Sequence, residues 1–348
     1  MSNELNVEKI KSSENKNSTL DIKGKKILFF SPAFFGYENK IAKKMEDLGA
    51  FVKMYDERSV TSAMDRALLK VVPNIFTSKS KNYYKNIIEE NKGIDYDYIL
   101  IIKCDMTPES ILDKFRVEFP NAKLCLYLWD SVKNIPNICD KFKCFDTIHS
   151  FDLDDCDKYY EMKFRPLFYA DEFSKKENLD YKKYDISFTG TIHSDRYAVI
   201  KQVREIAKEK GLNSFWFCYL QSKFIYYFYK FTKKEFADTK ISDFDFDKMT
   251  SKEIADVVLN SNIVLDIQHP KQSGLTMRTI EMLGMNKKII TTNSSIKKYD
   301  FYNPNNICVV DRKNIILDED FLKTQYQELD ADIYEKYSLK EWLLEVLS

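Results

Sequence analysis

The chain alternates strand-type and helix-type segments, and it does so twice. In the first half, KKILFFSP, FVKMYD, YDYILIIKCD, AKLCLYLWD and TIHSFD read as strands. Between them, GYENKIAKKMEDLG, a long polar stretch from Ser62 to Lys92 and PESILDKFRVEF read as helices, and DDCDKYYEM follows as a short one. In the second half, YDISFTG, SFWFCYL, NIVLDIQ, KKIITTN and NICVVD are strands set among the helices RYAVIKQVREIAKEKG, KEIADVVLNS and LTMRTIEMLG. Near-continuous apolar strands linked by helices predict parallel sheets buried on both faces. At roughly 100–200 residues per domain, 348 residues make two such domains. The expected class is therefore α/β, with two tandem Rossmann-like, doubly wound domains facing a cleft.

The boundaries follow from composition. Residues 1–23 are polar, rich in Asn, Ser, Lys and Glu, and read as a disordered tail. The first domain spans 24–172, and the charged, glycine-free segment SKKENLDYKK opens the second, 173–330. The last residues, 331–348, form a closing helix, LKEWLLEVL. Lysine plus arginine equals aspartate plus glutamate, 54 each, which argues against a protein that coats nucleic acid through bulk charge. No apolar run reaches the ~18–20 residues of a membrane span, and the N-terminus has no apolar signal core. The seven cysteines include no Cys-x-x-Cys pair, so reduced structural thiols and a cytoplasmic location are expected.

Ligands of doubly wound sheets bind beyond the carboxyl ends of the strands. The residues after each strand are therefore the candidates. FTGTIHSDR places Gly190 at a strand exit, with His193 and Arg196 near the next helix start. Glycine lets a phosphate approach the backbone, and a helix N-terminus offers free N–H donors. QSGLTMRTIEMLG has the same form: Ser273 and Gly274 in a loop, Thr276 as cap or donor, then Arg278 and Glu281 three apart on one helix face. A cation in the first turn opposes the helix dipole. A bound diphosphate between the helix end and the guanidinium removes that conflict, and a carboxylate one turn later suits two ribose hydroxyls. The bland alternatives are an ordinary βα turn and a surface ion pair.

Those two blocks carry a resemblance. The chain resembles the GT-B glycosyltransferases and is most similar to their spore-maturation-like (glycosyltransferase group 1-like) branch, through the F-x-G-x-x-x-x-x-R pattern from Phe188 to Arg196 and the block GLTMRTIEMLGMNKKII. The resemblance covers most of residues 25–330. It implies a nucleotide-sugar donor on the second domain, an acceptor on the first, Glu281 on the ribose, and a closing helix that returns toward the first domain. Many retaining members have a second glutamate eight positions before the ribose glutamate; here that position is Ser273, which favours inversion. Inversion needs a general base. Asp130, beside Trp129, is preferred; Asp105 and His269 compete with it, against the plainer reading of the aspartates as caps.

The expected activity is metal-independent transfer of a sugar from a nucleoside diphosphate to a saccharide, lipid-linked or protein acceptor, in surface polysaccharide or glycoconjugate synthesis. Arg196 and Arg278 neutralise the leaving group, and no cofactor, metal or nucleic acid takes part. Two other readings stay open. One is a catalytically degenerate nucleotide-sugar-binding protein. The other is a dinucleotide oxidoreductase, although SPAFFGYENK after the first strand lacks G-x-G-x-x-G. Asp152, Asp154 and Asp155 in FDLDDCD resemble a D-x-D metal site, with helix capping as the favoured account. Segment 215–234 is aromatic and punctuated by lysines. The favoured reading is an aromatic core face with a solvated lysine face; the alternative is peripheral contact with the inner face of a membrane.

Overall fold

The computed structural model describes residues 20–58, 73–175, 182–270 and 274–348. Most of the expected disordered tail, the start of the long helix from Ser62, most of the SKKENLDYKK linker and Ser273 lie outside the described residues.

The chain forms two compact units. One holds the described residues up to Leu167 together with Leu339–Ser348; the other runs from Phe168 to Ser338. In the first, strands β1 (Lys26–Ser31), β2 (Phe51–Asp56), β3 (Tyr98–Ile102), β4 (Lys123–Leu128), β5 (Thr147–Ser150) and β6 (Met162–Phe164) make one sheet in the order β2-β1-β3-β4-β5-β6. Every neighbouring pair is parallel. The helices are α1 (Tyr37–Asp47), α2 (Pro73–Glu90), α3 (Glu109–Glu118), α4 (Ile138–Lys141) and α5 (Leu153–Lys158). Burial on both faces explains why β3, YILII, carries no polar residue. β6 is not legible in the sequence, because three residues, MKF, are too short to set a period. Gly49 ends α1 at φ 89°, where its N–H reaches the Glu46 carbonyl and the Ala50 N–H reaches that of Met45, both orphaned at a helix end.

The second unit holds β7 (Tyr184–Thr191), β8 (Ser214–Tyr219), β9 (Ser261–Asp266), β10 (Lys288–Thr291) and β11 (Ile307–Val309), ordered β11-β10-β9-β7-β8 and again all parallel. Its helices are α6 (Arg196–Glu209), α7 (Lys223–Thr232), α8 (Ser251–Leu259), α9 (Met277–Gly284), α10 (Glu319–Lys323) and α11 (Ala331–Lys336). Helix α10 stops at Lys323, and beyond it Gln327 pairs its backbone and side chain with Asn306 and Asn303. Each sheet reverses its strand order once, between β1 and β3 in the first unit and between β7 and β9 in the second. These are the places where a doubly wound sheet opens to a ligand.

The final helix, α12 (Leu339–Leu347), belongs to the first unit. Trp342 is fully buried there, edge-on to Tyr127 at 4.7 Å between ring centroids. Buried Arg165 meets Glu345 of the same helix at 3.2 Å.

Candidate functional site

In the second unit three arginines gather at the reversal point. Arg196 opens α6 and spans the ends of the two strands flanking that point. Its Nη1 donates to the Thr191 carbonyl at 2.8 Å and its Nη2 to the Ile267 carbonyl. Its Nε is buried with no partner among the described residues. Burial, then the charges of Arg312 and Arg278, push its guanidinium below the ordinary value, while Asp266 acts the other way. Arg312, just beyond β11, holds Asp195 through two bonds from Nη1 at 2.8 and 3.0 Å and donates from Nη2 to the Gln268 carbonyl. Arg278 reaches Glu281 with its Nε at 3.8 Å, and its Nη1 is buried without a partner among the described residues. Buried donors without acceptors are costly, about 1–3 kcal/mol each. Two of them on neighbouring guanidinium groups suit an anion.

The helix carrying Arg278 is fixed from below. Thr276 caps α9 by accepting the Thr279 N–H at 3.1 Å, and its hydroxyl donates to Asp266 at 3.0 Å. The Thr279 hydroxyl donates to the same carboxylate. Asp266, the last residue of β9, thus ties the strand end to the helix start and leaves Arg278 and Glu281 on the opposite face. Gly274 offers its carbonyl to Asn293 Nδ2 at 3.3 Å. Gly284 ends the helix where a Cβ would lie 2.4 Å from the Phe173 carbonyl and 2.5 Å from Tyr169 Cγ. No side chain fits there.

His193 and His269 lie with ring centroids 5.7 Å apart. Burial, then Arg196 and His269, lower His193 to about 4, so it is neutral at pH 7. Ser194, beside it, takes φ 52°. At Gly190 a Cβ would press on the Phe188 ring at 3.0 Å, while Arg196 Nη1 would lie at an ordinary contact distance of 3.6 Å.

In the first unit the ends of β1, β3 and β4 converge on acids and aromatics. Asp130 follows β4 and accepts from Lys103 Nζ at 3.1 Å and Asn134 Nδ2 at 2.8 Å. Lys103 also approaches Asp105 at 3.5 Å, and Arg58 does so at 3.6 Å. Lys103 and Cys104 are consecutive left-handed residues, φ 76° and 61°, which costs of order 1–3 kcal/mol each and points the lysine into the cluster. Phe34 and Phe35, both exposed, follow β1, and Phe34 packs on Trp129 at 5.4 Å.

Beneath them lies Glu57, fully buried. Its Oε1 accepts from the Met106 N–H at 2.8 Å and from the Thr107 N–H and hydroxyl, each at 2.9 Å. Its Oε2 and Asp105 Oδ1 have no other partner among the described residues. The two acids bond each other through one proton, which Glu57 holds. Burial, then the charge of Asp105, raises Glu57 well above the usual carboxylate range. Burial pushes Asp105 upward too, but the bond from Glu57 and the charges of Lys103 and Arg58 outweigh it and keep Asp105 below its usual range.

Sequence reasoning missed Glu57 and Arg312. Both stand within three residues after a strand, in FVKMYDE and ICVVDR, so the rule that found Arg196 also reaches them. FDLDDCD does act as a cap: Asp152 accepts the Asp154 N–H at 3.1 Å and Asp155 accepts the Val132 N–H at 2.7 Å. The favoured reading of segment 215–234 holds only in part: Tyr226 is buried, Trp216 and Tyr229 pack on the core, and Lys223 and Lys234 are exposed, but Phe224, Tyr227, Phe228 and Phe231 face outward. Helix α7 thus carries aromatics on both faces, and Lys230 and Lys233 fold back onto backbone carbonyls at 2.6 and 2.8 Å. Among the described residues no helix is long and apolar enough to cross a membrane.

No family model matches the chain, and no curated protein does. Solved structures do. A glycosyltransferase from Rickettsia africae superposes at TM-score 0.56 and 15% identity, over 92% of this chain and 96% of that one. Anabaena HepE in complex with UDP-glucose gives 0.57 and 9%, over 92% and 98%. The UDP-GlcNAc 2-epimerase of Methanocaldococcus jannaschii gives 0.51 and 10%, over 92% and 99%. With two all-parallel α/β units, each reversing its strand order once, the chain has the GT-B fold of the glycosyltransferases.

Proposed function

We propose that the chain is a glycosyltransferase that moves a sugar from a nucleoside diphosphate to a saccharide, lipid-linked or protein acceptor, in surface polysaccharide or glycoconjugate synthesis. One observation carries the reading: Arg196, Arg278 and Arg312 converge at the reversal point of the second sheet, and two of them hold buried N–H groups without acceptors among the described residues. That is a site for a compact dianion. Glu281, buried beside Arg278, supplies the carboxylate that a ribose needs. HepE, which shares the fold, was crystallised with UDP-glucose.

In this account the diphosphate lies along the three guanidinium groups, close to the Gly274 loop and the start of α9. His193 and His269 stand beside it. The acceptor rests on the aromatic platform of Phe34 and Trp129 in the first unit. Asp130, oriented by Lys103 and Asn134, takes the proton from the acceptor hydroxyl. The hydroxyl oxygen attacks the anomeric carbon as its bond to the diphosphate breaks. The arginines stabilise the charge that develops on the leaving group, the role a metal has elsewhere. Asp105 is the weaker base, because it shares a proton with Glu57 and is clamped by two cations. Inversion is the proposed stereochemical outcome, and chelators are expected to leave the activity unchanged.

The test is a panel of nucleotide sugars incubated with and without saccharide acceptors, following release of nucleoside diphosphate. Acceptor-dependent release that Asp130→Asn abolishes supports the reading. Conversion of the donor into its 2-epimer, without sugar transfer, identifies an epimerase instead, a second activity found on this fold. Tight nucleotide binding with no turnover identifies a degenerate binding protein, and binding of NAD an oxidoreductase. Glu281→Ala is expected to weaken a nucleoside diphosphate by about tenfold or more, the value of a charge-assisted hydrogen bond, and to leave inorganic pyrophosphate unaffected. Equal losses for both ligands would remove Glu281 from the ribose.

A further inference from the structure

Helix α7 turns its aromatics outward. Phe224, Tyr227, Phe228 and Phe231 are 78, 51, 55 and 86% exposed. Their spacing of three, four and seven residues puts them on one stripe of a ten-residue helix about 15 Å long. The opposite face anchors the helix: Tyr226 is buried, its hydroxyl bonded to the Thr239 carbonyl at 3.0 Å, and Ser222 caps the start by accepting the Ile225 N–H. The fold therefore holds the exposed stripe in place without using it. Aromatic side chains offer roughly 200 Å² each, so the stripe presents roughly 500 Å², as large as the largest apolar patch of a typical monomer.

The charges around the stripe indicate what covers it. The helix contains no acidic residue. From Lys223 to Lys240 the chain has five lysines and two acids, a net charge of +3, in a protein whose total is zero. Lys223, Lys234 and Lys240 are exposed. Lys230 and Lys233 donate to the Thr239 and Ser194 carbonyls, and Lys233 also lies over the Tyr229 ring at 4.1 Å. The patch is smaller than the ~800 Å² per partner of a stable protein interface. It has the composition of an interfacial helix, with rings below and ammonium groups at headgroup level.

We propose that α7 docks the protein on an anionic lipid surface, with Phe224, Tyr227, Phe228 and Phe231 inserted at the boundary of headgroups and acyl chains and with Lys223, Lys234 and Lys240 among the phosphates. The Lys233 bond to Ser194 ties the end of this helix to the loop that carries His193 and Asp195. The claim concerns the surface alone and holds whichever reaction the chain performs.

Flotation of the full chain with vesicles of phosphatidylcholine, alone or mixed with phosphatidylglycerol, tests it. The wild type is expected to float with the mixed vesicles, less with the neutral ones, and less in high salt. F224S/F231S should lower the partition by at least about 100-fold, since each ring buried contributes more than the 1.4 kcal/mol of one decade. K223Q/K234Q should lower it by about 25-fold, at about fivefold per lysine, and only on the anionic vesicles. Unchanged melting temperatures show that both variants fold. The proposal is overturned if the wild type stays with the soluble fraction, or if the aromatic variant floats as well as the wild type. It is also overturned if the stripe instead drives a dimer that the aromatic substitutions dissociate and no vesicle binds.

Discussion

Glu57 offers a direct test of how the acid cluster in the first unit is built. In Glu57→Gln the amide oxygen can accept the same three donors, the Met106 and Thr107 N–H groups and the Thr107 hydroxyl. The amide N–H₂ then donates toward Asp105 where the shared proton lay. Shape and hydrogen bonding survive, and only the ionisation is removed. In the wild type, burial and then the charge of Asp105 raise Glu57 well above 4.5. Between 4.5 and its folded value, the folded chain holds a proton that the unfolded chain has released. Raising the pH therefore destabilises the wild type, by up to about 1.4 kcal/mol per pH unit. The variant has no such slope. Its stability relative to the wild type should climb at that rate until Glu57 ionises in the fold. Urea denaturation in unit steps from about pH 5 to about pH 8 measures the difference. Parallel curves would refute the shared proton. Glu57→Ala is the contrast: it strands the Met106 and Thr107 N–H groups in the interior, at about 1–3 kcal/mol each, at every pH.

Three further outcomes follow from packing and charge. Gly284→Ala should gain about 1 kcal/mol of helix propensity and lose more to the clash with the Phe173 carbonyl and the Tyr169 ring, for a net loss of about 1–3 kcal/mol in urea. Trp342→Ala should cost about 3–5 kcal/mol, because the indole is fully buried against Tyr127, and calorimetric melting reads the loss. His193 stays neutral in the fold down to about pH 4 while an unfolded histidine charges near 6.5, so acid should destabilise the chain between those values, up to about 1.4 kcal/mol per unit. His193→Gln should flatten that part of the stability profile.

The alternation of strands and helices was legible because burial on both faces leaves β3 and β4 almost continuously apolar. Arg196, Arg278 and Glu281 were legible because position after a strand and conflict with the helix dipole are local properties. The partners of those residues were not. Arg312 lies 116 residues after Arg196, and only the order of five strands brings both to one place. Glu57 follows a strand that is partly exposed, and nothing near it in sequence indicates that its side chain reaches beneath Asp105. The outward turn of α7 was misread for a related reason. Helical periodicity finds an apolar stripe, but which face the rest of the fold covers depends on residues such as Thr239 and Phe244, which lie beyond the helix and pack on Tyr226.

The central claim is that the arginines of the second unit hold a nucleoside diphosphate. Calorimetric titration of UDP, GDP and ADP, each against its monophosphate, tests it on the wild type and on Arg278→Ala. A preferred diphosphate should bind at least about tenfold more tightly than its monophosphate, and Arg278→Ala should remove most of that preference, because a lost charge-assisted contact costs about 1.5–3 kcal/mol. Equal affinity for diphosphate and monophosphate in the wild type, or a preference that survives the loss of Arg278, would contradict the account.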